Sequence, residues 1–203
     1  MKLWQGFRVG VLTVVMTASL FAQGNQAPAG APPPGGAAAG QGRGPAGPGL
    51  ALTSTSFEDG GVIPNAFTQA EATYRSPHLG WTNVPANVQS FALLVTDVDV
   101  APMRSSDPFV HWVVFNIPGN ARGLAEGIVP DAGGDIVQGR NGRNASAWLG
   151  PGAPAGPYHH YVFELFALDS RLTLTNMATR AEVMAAMNGH VMAKAALTGR
   201  FHR

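Results

Sequence analysis

Four stretches of this chain set ionisable or donor groups at the ends of apolar runs. FALLVTDVD closes on Asp97 and Asp99, HWVVFNI opens on His111, and GPGAPAGPYHHYVFELFALD carries His159, His160 and Tyr161. The fourth is the turn LGPG, Leu149 to Gly152, in which Gly150 and Pro151 begin a glycine-proline loop. Alternation along a strand predicts that Asp97 and Asp99 share a face, as do His159 and Tyr161, with His160 on the other side. Two carboxylates after an apolar run need partners or water, because burying them alone is costly. Taken singly, each group has a bland explanation: a solvated strand end, a structural histidine, a turn.

Together the groups define a chemistry. Imidazole, phenol and glycine-exposed backbone N–H groups are donors, and convergent donors suit phosphate or carboxylate. The aspartates would orient a histidine and favour its charged form, or accept from an amine on the ligand. If a histidine must be protonated, affinity rises as pH falls through about 6.5, the ordinary imidazole value. Asp-x-Asp with histidines could also take a divalent metal, a weaker reading, and neither a metal nor a cofactor is expected. The chain has no cysteine, no GxSxG and no HExxH. No serine stands in a recognisable nucleophile setting, so acid–base hydrolysis is the least favoured reading and the expectation is a protein that is not an enzyme.

These groups must be positioned by strands. Ser90–Asp99, His111–Ile117 and His160–Leu168 are short, nearly continuous apolar runs bounded by Pro, Gly, Asn and Asp. Such runs predict strands buried on both faces. Leu50–Phe57 alternates loosely, and Ala195–Phe201 reads as a last strand. One segment argues for a helix. Thr179 with Glu182 forms a capping box, and Val183, Met184, Met187, Val191 and Ala195 follow at helical spacing, an apolar stripe suited to packing on a sheet. The expected fold is mostly β, a sandwich of antiparallel sheets with a C-terminal helix and a closing strand.

Of the 203 residues, 13 are basic and 12 acidic, which leaves no bulk field to draw nucleic acid. Residues 1–22 carry Lys2 and Arg8 before an uncharged run to Ala22 and read as a secretory signal. That run is shorter than the ~20 residues of a membrane span, so no transmembrane segment is expected after cleavage. Residues 23–49 are Ala, Gly, Pro and Gln with almost nothing to bury, and read as a disordered tether. GRGPAG within it matches a dinucleotide fingerprint only formally, since no strand precedes it. Residues 50–203 remain as one domain.

FALLVTDVDVAP, HWVVFNIP and GPGAPAGPYHHYVFELFALD resemble signature blocks of the phosphatidylethanolamine-binding protein family, in particular its bacterial, Raf-kinase-inhibitor-like branch. SPHLGWTNVPANVQS and TRAEVMAAMNGHVMAKAALTGRF are similar to that branch's early loop and its closing helix and strand. The resemblance implies a β-sandwich with a small anion pocket at one end. It aligns Asp97 and Asp99 with the acids of an Asp-Pro-Asp-Ala-Pro block, His111 with the histidine before the apolar strand, and His159 and Tyr161 with a His-Arg-Tyr block. In this chain Val98 replaces the central proline, one residue is gained before Ala101 and Pro102, and His160 stands where the family has arginine. Pro102 is expected on the pocket rim. The expected protein is exported, periplasmic or secreted, and binds a small anion or phosphorylated head group. The resemblance also allows an inhibitor of a protease or kinase, for which export favours an envelope or secreted protease.

Overall fold

The computed structural model describes residues 48–100, 104–128 and 135–203. The expected signal and most of the tether lie outside that range. In chain order the elements are β1 (Ala51–Thr53), β2 (Gly61–Val62), β3 (Leu79–Thr82), β4 (Ser90–Asp97), β5 (Phe109–Pro118), β6 (Gly123–Leu124), β7 (Val137–Gln138), β8 (His159–Leu168), α1 (Arg180–Met187) and β9 (Val191–Phe201). They form a three-stranded sheet in the order β1-β3-β6 and a six-stranded sheet in the order β2-β9-β8-β4-β5-β7. Every pairing is antiparallel except β2 with β9. No helix among the described residues is long and apolar enough to cross a membrane.

The continuous apolar runs follow from this layering. All eight residues of β4 are buried. Phe91, Leu93 and Val95 enter a core shared with Leu52 and Trp81 of the small sheet. Ala92 and Leu94 enter a second core with Val183 and Met187 of α1. A strand covered on both faces has no polar side to alternate with. Each such large side chain contributes on the order of 1.5–3 kcal/mol through burial, in a chain with no cysteine to cross-link it. The three tryptophans of the inter-sheet core also satisfy their indole N–H groups: Trp81 donates to Ala121 O, Trp112 to Gln138 Oε1 and Trp148 to Phe67 O.

Two expected elements differ. The first strand stops at Thr53 because Ser54 Oγ donates to His78 O and accepts from Ser56 N–H, which turns the chain. The helix ends at Met187, and the stretch from Val191 belongs to β9 rather than to a continued helix. Asn188 caps α1, Gly189 takes φ +83°, and the chain reverses. Residues Val191 to Phe201 then pair along the whole of β8. That ladder satisfies the backbone better than two more helical turns, which would leave β8 with a bare edge.

The capping box is present. Thr179 Oγ1 accepts from Glu182 N–H, and the Glu182 carboxylate accepts from Thr179 N–H and O–H. Those bonds hold the Glu182 carboxyl below its ordinary range. Thr179→Ala is expected to lower stability by about 1 kcal/mol, read as a fall of a few degrees in Tm.

Candidate functional site

The end of β4 lies between the starts of β5 and β8, with Asp97 opposite Phe109 on one side and Tyr161 on the other. Antiparallel pairing therefore collects the polar ends of three central strands at one edge of the large sheet. The Asp97 side chain is only 3% exposed there. Its Oδ2 accepts from His159 Nδ1–H at 2.8 Å, and its Oδ1 accepts from the backbone N–H of Asp99 at 3.0 Å. These bonds offset the cost of burying the carboxylate.

His111 reaches the same edge through a β-bulge. Val95 pairs with Trp112 and Thr96 with Val110, which leaves His111 as an extra residue. Val110 packs on the helix-side core and Trp112 belongs to the inter-sheet core. The bulge thus breaks the two-residue alternation and turns His111 toward Tyr161, the rings meeting edge-on at 5.0 Å. His111 Nδ1 lies 2.7 Å from Leu149 O. A carbonyl only accepts, so Nδ1 carries the proton and Nε2 is the nitrogen left for a ligand. Burial holds the imidazole pKa below its ordinary 6.5; the Leu149 carbonyl and Asp97 carboxylate oppose this, and Arg143 adds to it.

Tyr161 is fully buried, and its hydroxyl has no hydrogen-bond partner among the described residues. Burial, reinforced by the Asp97 carboxylate, pushes the phenol pKa well up, while the Ala153 and Gly152 amides pull it the other way. The hydroxyl therefore keeps its proton; the Asp97 carboxylate lies near it, but no hydrogen bond of ordinary geometry joins them.

Asp97, His111, His159 and Tyr161 surround one hollow of ≈ 180 Å³. Pockets for drug-sized molecules run to about 300–1,000 Å³, so this one suits a small group. Gly152, Ala153 and Pro154 form its loop wall, and Gln69, Phe109 and Arg143 complete the polar and aromatic lining. Gly150 and Pro151, expected at the lining, stand behind it. Their carbonyls accept from Gln69 Nε2 and Gln69 N–H, at 2.6 and 2.8 Å. A Cβ on Gly150 would come within 2.8 Å of Phe67 O, and one on Gly152 within 2.4 Å of Gln69 Nε2. The first glycine is needed for packing, the second for the approach of Gln69.

Asp99 also departs from expectation. The strand ends at Asp97, and the bond from Asp99 N–H to Asp97 Oδ1 turns the chain outward. Asp99 instead accepts from the backbone N–H and ring Nδ1 of His160, at 2.6 and 2.9 Å. Its slight burial acts against ionisation, but those bonds hold its carboxyl below the ordinary range. His160, at the family's arginine position, thus takes Asp99 as its partner outside the hollow. Pro102 lies outside the described residues. Sequence reasoning missed Gln69, Phe109 and Arg143; only the basic turn GRNGRN carried a signal for the last. Among the described residues no group of three His, Cys, Asp or Glu side chains is arranged to hold a metal ion.

A two-sheet fold closed by a short helix and a long strand is the architecture of a phosphatidylethanolamine-binding protein. The sequence model of that family matches residues 53–202, and the chain belongs to it. It is 41% identical over 155 residues to a UPF0098 protein of Methanothermobacter thermautotrophicus, covering 75% of this chain and 98% of the relative. It is 32% identical over 163 residues to the UPF0098 protein YbhB of Escherichia coli, covering 75% and 99%. Its fold is similar to that of CT736, a phosphatidylethanolamine-binding protein homologue from Chlamydia trachomatis, with a TM-score of 0.69 and 31% identity over 76% of this chain and 98% of that one. The crystal structure of YbcL of Escherichia coli, a member of the mammalian family, gives a TM-score of 0.66 at 27% identity with the same coverage.

The depressed His111 pKa has a consequence for stability. Below about pH 6.5 the unfolded chain takes up a proton that the native site resists, so the native state binds fewer protons. Stability is expected to hold above pH 6.5 and to fall as the pH drops from there toward the lowered native value. Thermal melts from pH 8 to 5 should show this loss, and His111→Gln should lessen it; parallel profiles would contradict the assignment.

Proposed function

We propose that this chain is an exported, non-catalytic binding protein whose hollow takes a small oxyanion: phosphate, a phosphate monoester such as phosphorylethanolamine, or a carboxylate. The observation that carries the reading is the Tyr161 hydroxyl, a buried donor without an acceptor among the described residues. A buried polar group left unpaired costs about 1–3 kcal/mol, which a ligand oxygen would relieve. The Gly152 and Ala153 amides lie beside it, and Arg143 lines the same hollow with a positive charge.

His111 then sets the protonation state of the bound pair. As a neutral ring it offers Nε2 as an acceptor, so it accepts from a protonated phosphoryl oxygen or itself takes a proton and donates. Either route brings one proton into the site, and the second pKa of a phosphate monoester is about 6. Binding therefore strengthens as pH falls, for a reason that differs from a resident imidazolium. Export rests on the charged start and uncharged run of residues 1–22.

Calorimetry with phosphate and phosphorylethanolamine at pH 6 and 8 tests the reading. Affinity should be greater at pH 6. Tyr161→Phe keeps the ring and removes the donor; it should weaken binding about 10–100-fold, as expected for a bond to a charged group worth about 1.5–3 kcal/mol. The same variant should be at least as stable as the parent without ligand, since it removes an unsatisfied buried hydroxyl. Absence of binding to the parent, or equal binding by the two proteins, rejects the proposal.

A further inference from the structure

A second hollow lies on the far side of a thin partition. The Phe109 ring lines the first hollow, and Gly142 lines the second. A Cβ on Gly142 would fall 2.6 Å from that ring, so backbone and ring pack flat against each other. The second hollow, ≈ 300 Å³, opens between the residue 139–146 loop, the segment Asp107–Val110 and the start of α1. Two arginines, Arg140 and Arg180, are among its lining residues.

The hollow is held in shape before any ligand arrives. Asn141 Oδ1 accepts from the Arg143 and Ala145 amides, and its Nδ2 donates to Ala147 O. Arg140 N–H donates to Ala178 O, which ties the loop to the residue before the helix cap. Both arginines have carboxylates nearby but keep uncommitted N–H donors. The Arg140 guanidinium makes no hydrogen bond or ion pair among the described residues, and the buried Nε of Arg180 has no acceptor there. Arg180 forms an ion pair with Glu164 at 3.7 Å, longer than a hydrogen bond. Glu182, the carboxylate closest in sequence, is committed to Thr179 in the capping box. The first-turn N–H of Glu182 is committed to Thr179 Oγ1.

We infer that this second hollow binds a small oxyanion, phosphate or carboxylate, through Arg140 and Arg180, independently of the first. Two arginines on one preformed cavity match such a group, and the buried Arg180 Nε lacks an acceptor that a ligand oxygen would supply. Asp107 on the same lining opposes a bare anion and limits how much negative charge the hollow tolerates.

The test is a titration of the isotope-labelled full chain with inorganic phosphate and, separately, acetate, followed by amide ¹H–¹⁵N spectra. Saturable shifts are expected at Gly142, Asn144 and Ala181, and they should persist in Tyr161→Phe, where the first hollow is impaired. Arg140→Gln or Arg180→Gln should weaken them about tenfold or more, the loss of a charge-assisted bond. Asp107→Asn should strengthen them, an effect that a purely structural role for these residues would not produce. The spectra themselves report whether each variant is folded, and the two probes tell phosphate from carboxylate selectivity. Shifts confined to the residues around Tyr161 would overturn this second site while leaving the first intact. Shifts unchanged in both arginine variants would overturn it as well.

Discussion

The carboxylate of Asp97 is held out of water at the end of the most enclosed strand of the molecule, and the site is organised around keeping it there. One oxygen is held by the turn that begins at Asp99, the other by His159. Removing either partner leaves a buried charge short of a bond, a cost of several kcal/mol in low dielectric. The geometry of the turn, the orientation of the His159 ring and the electrostatic surroundings of His111 and Tyr161 all follow from this one group. It opposes the lowering of the His111 pKa and supports the raising of the Tyr161 pKa. The hollow thus sets an imidazole and a phenol, each resisting ionisation through burial, beside the Asp97 carboxylate.

A single extra residue determines what shares that space. With uninterrupted alternation His111 would lie on the face opposite Val110 and Trp112. The bulge places Val110 and Trp112 in different cores and lets His111 join the aromatic group of Phe109 and Tyr161. A polar ring is thereby held at the border of the apolar inter-sheet core, its Nδ1 satisfied by the Leu149 carbonyl. The glycine-proline loop that supplies this carbonyl is itself anchored by Gln69. Contacts between distant parts of the chain therefore fix both walls of the hollow.

The sequence could be read wherever one local rule governed. The apolar runs of β4, β5 and β8 announced strands covered on both sides, and Thr179 with Glu182 announced the start of α1. Reading failed where a distant partner, or an unsignalled side-chain turn, decided. Val191 and Ala195 continue a helical spacing by coincidence, and only the long ladder with β8 assigns them to a strand. Asp99 would share a face with Asp97 on a continuing strand, but a side-chain bond from Asp97 ends the strand first. Gln69 reaches Gly150 across a separation of 81 residues, so no local pattern could place it at the site. The bulge at His111 is equally silent in the sequence, since Val, His and Trp in succession read as plain alternation.

Strand β4 is hydrogen-bonded along both edges and roofed on both faces. A guest taken up beside Asp97, as proposed, would therefore meet a strand with no free edge and no open face. For the proposed oxyanion this amounts to lock-like selection: a preformed wall costs a fitting guest little backbone freedom and gives a misfit no room.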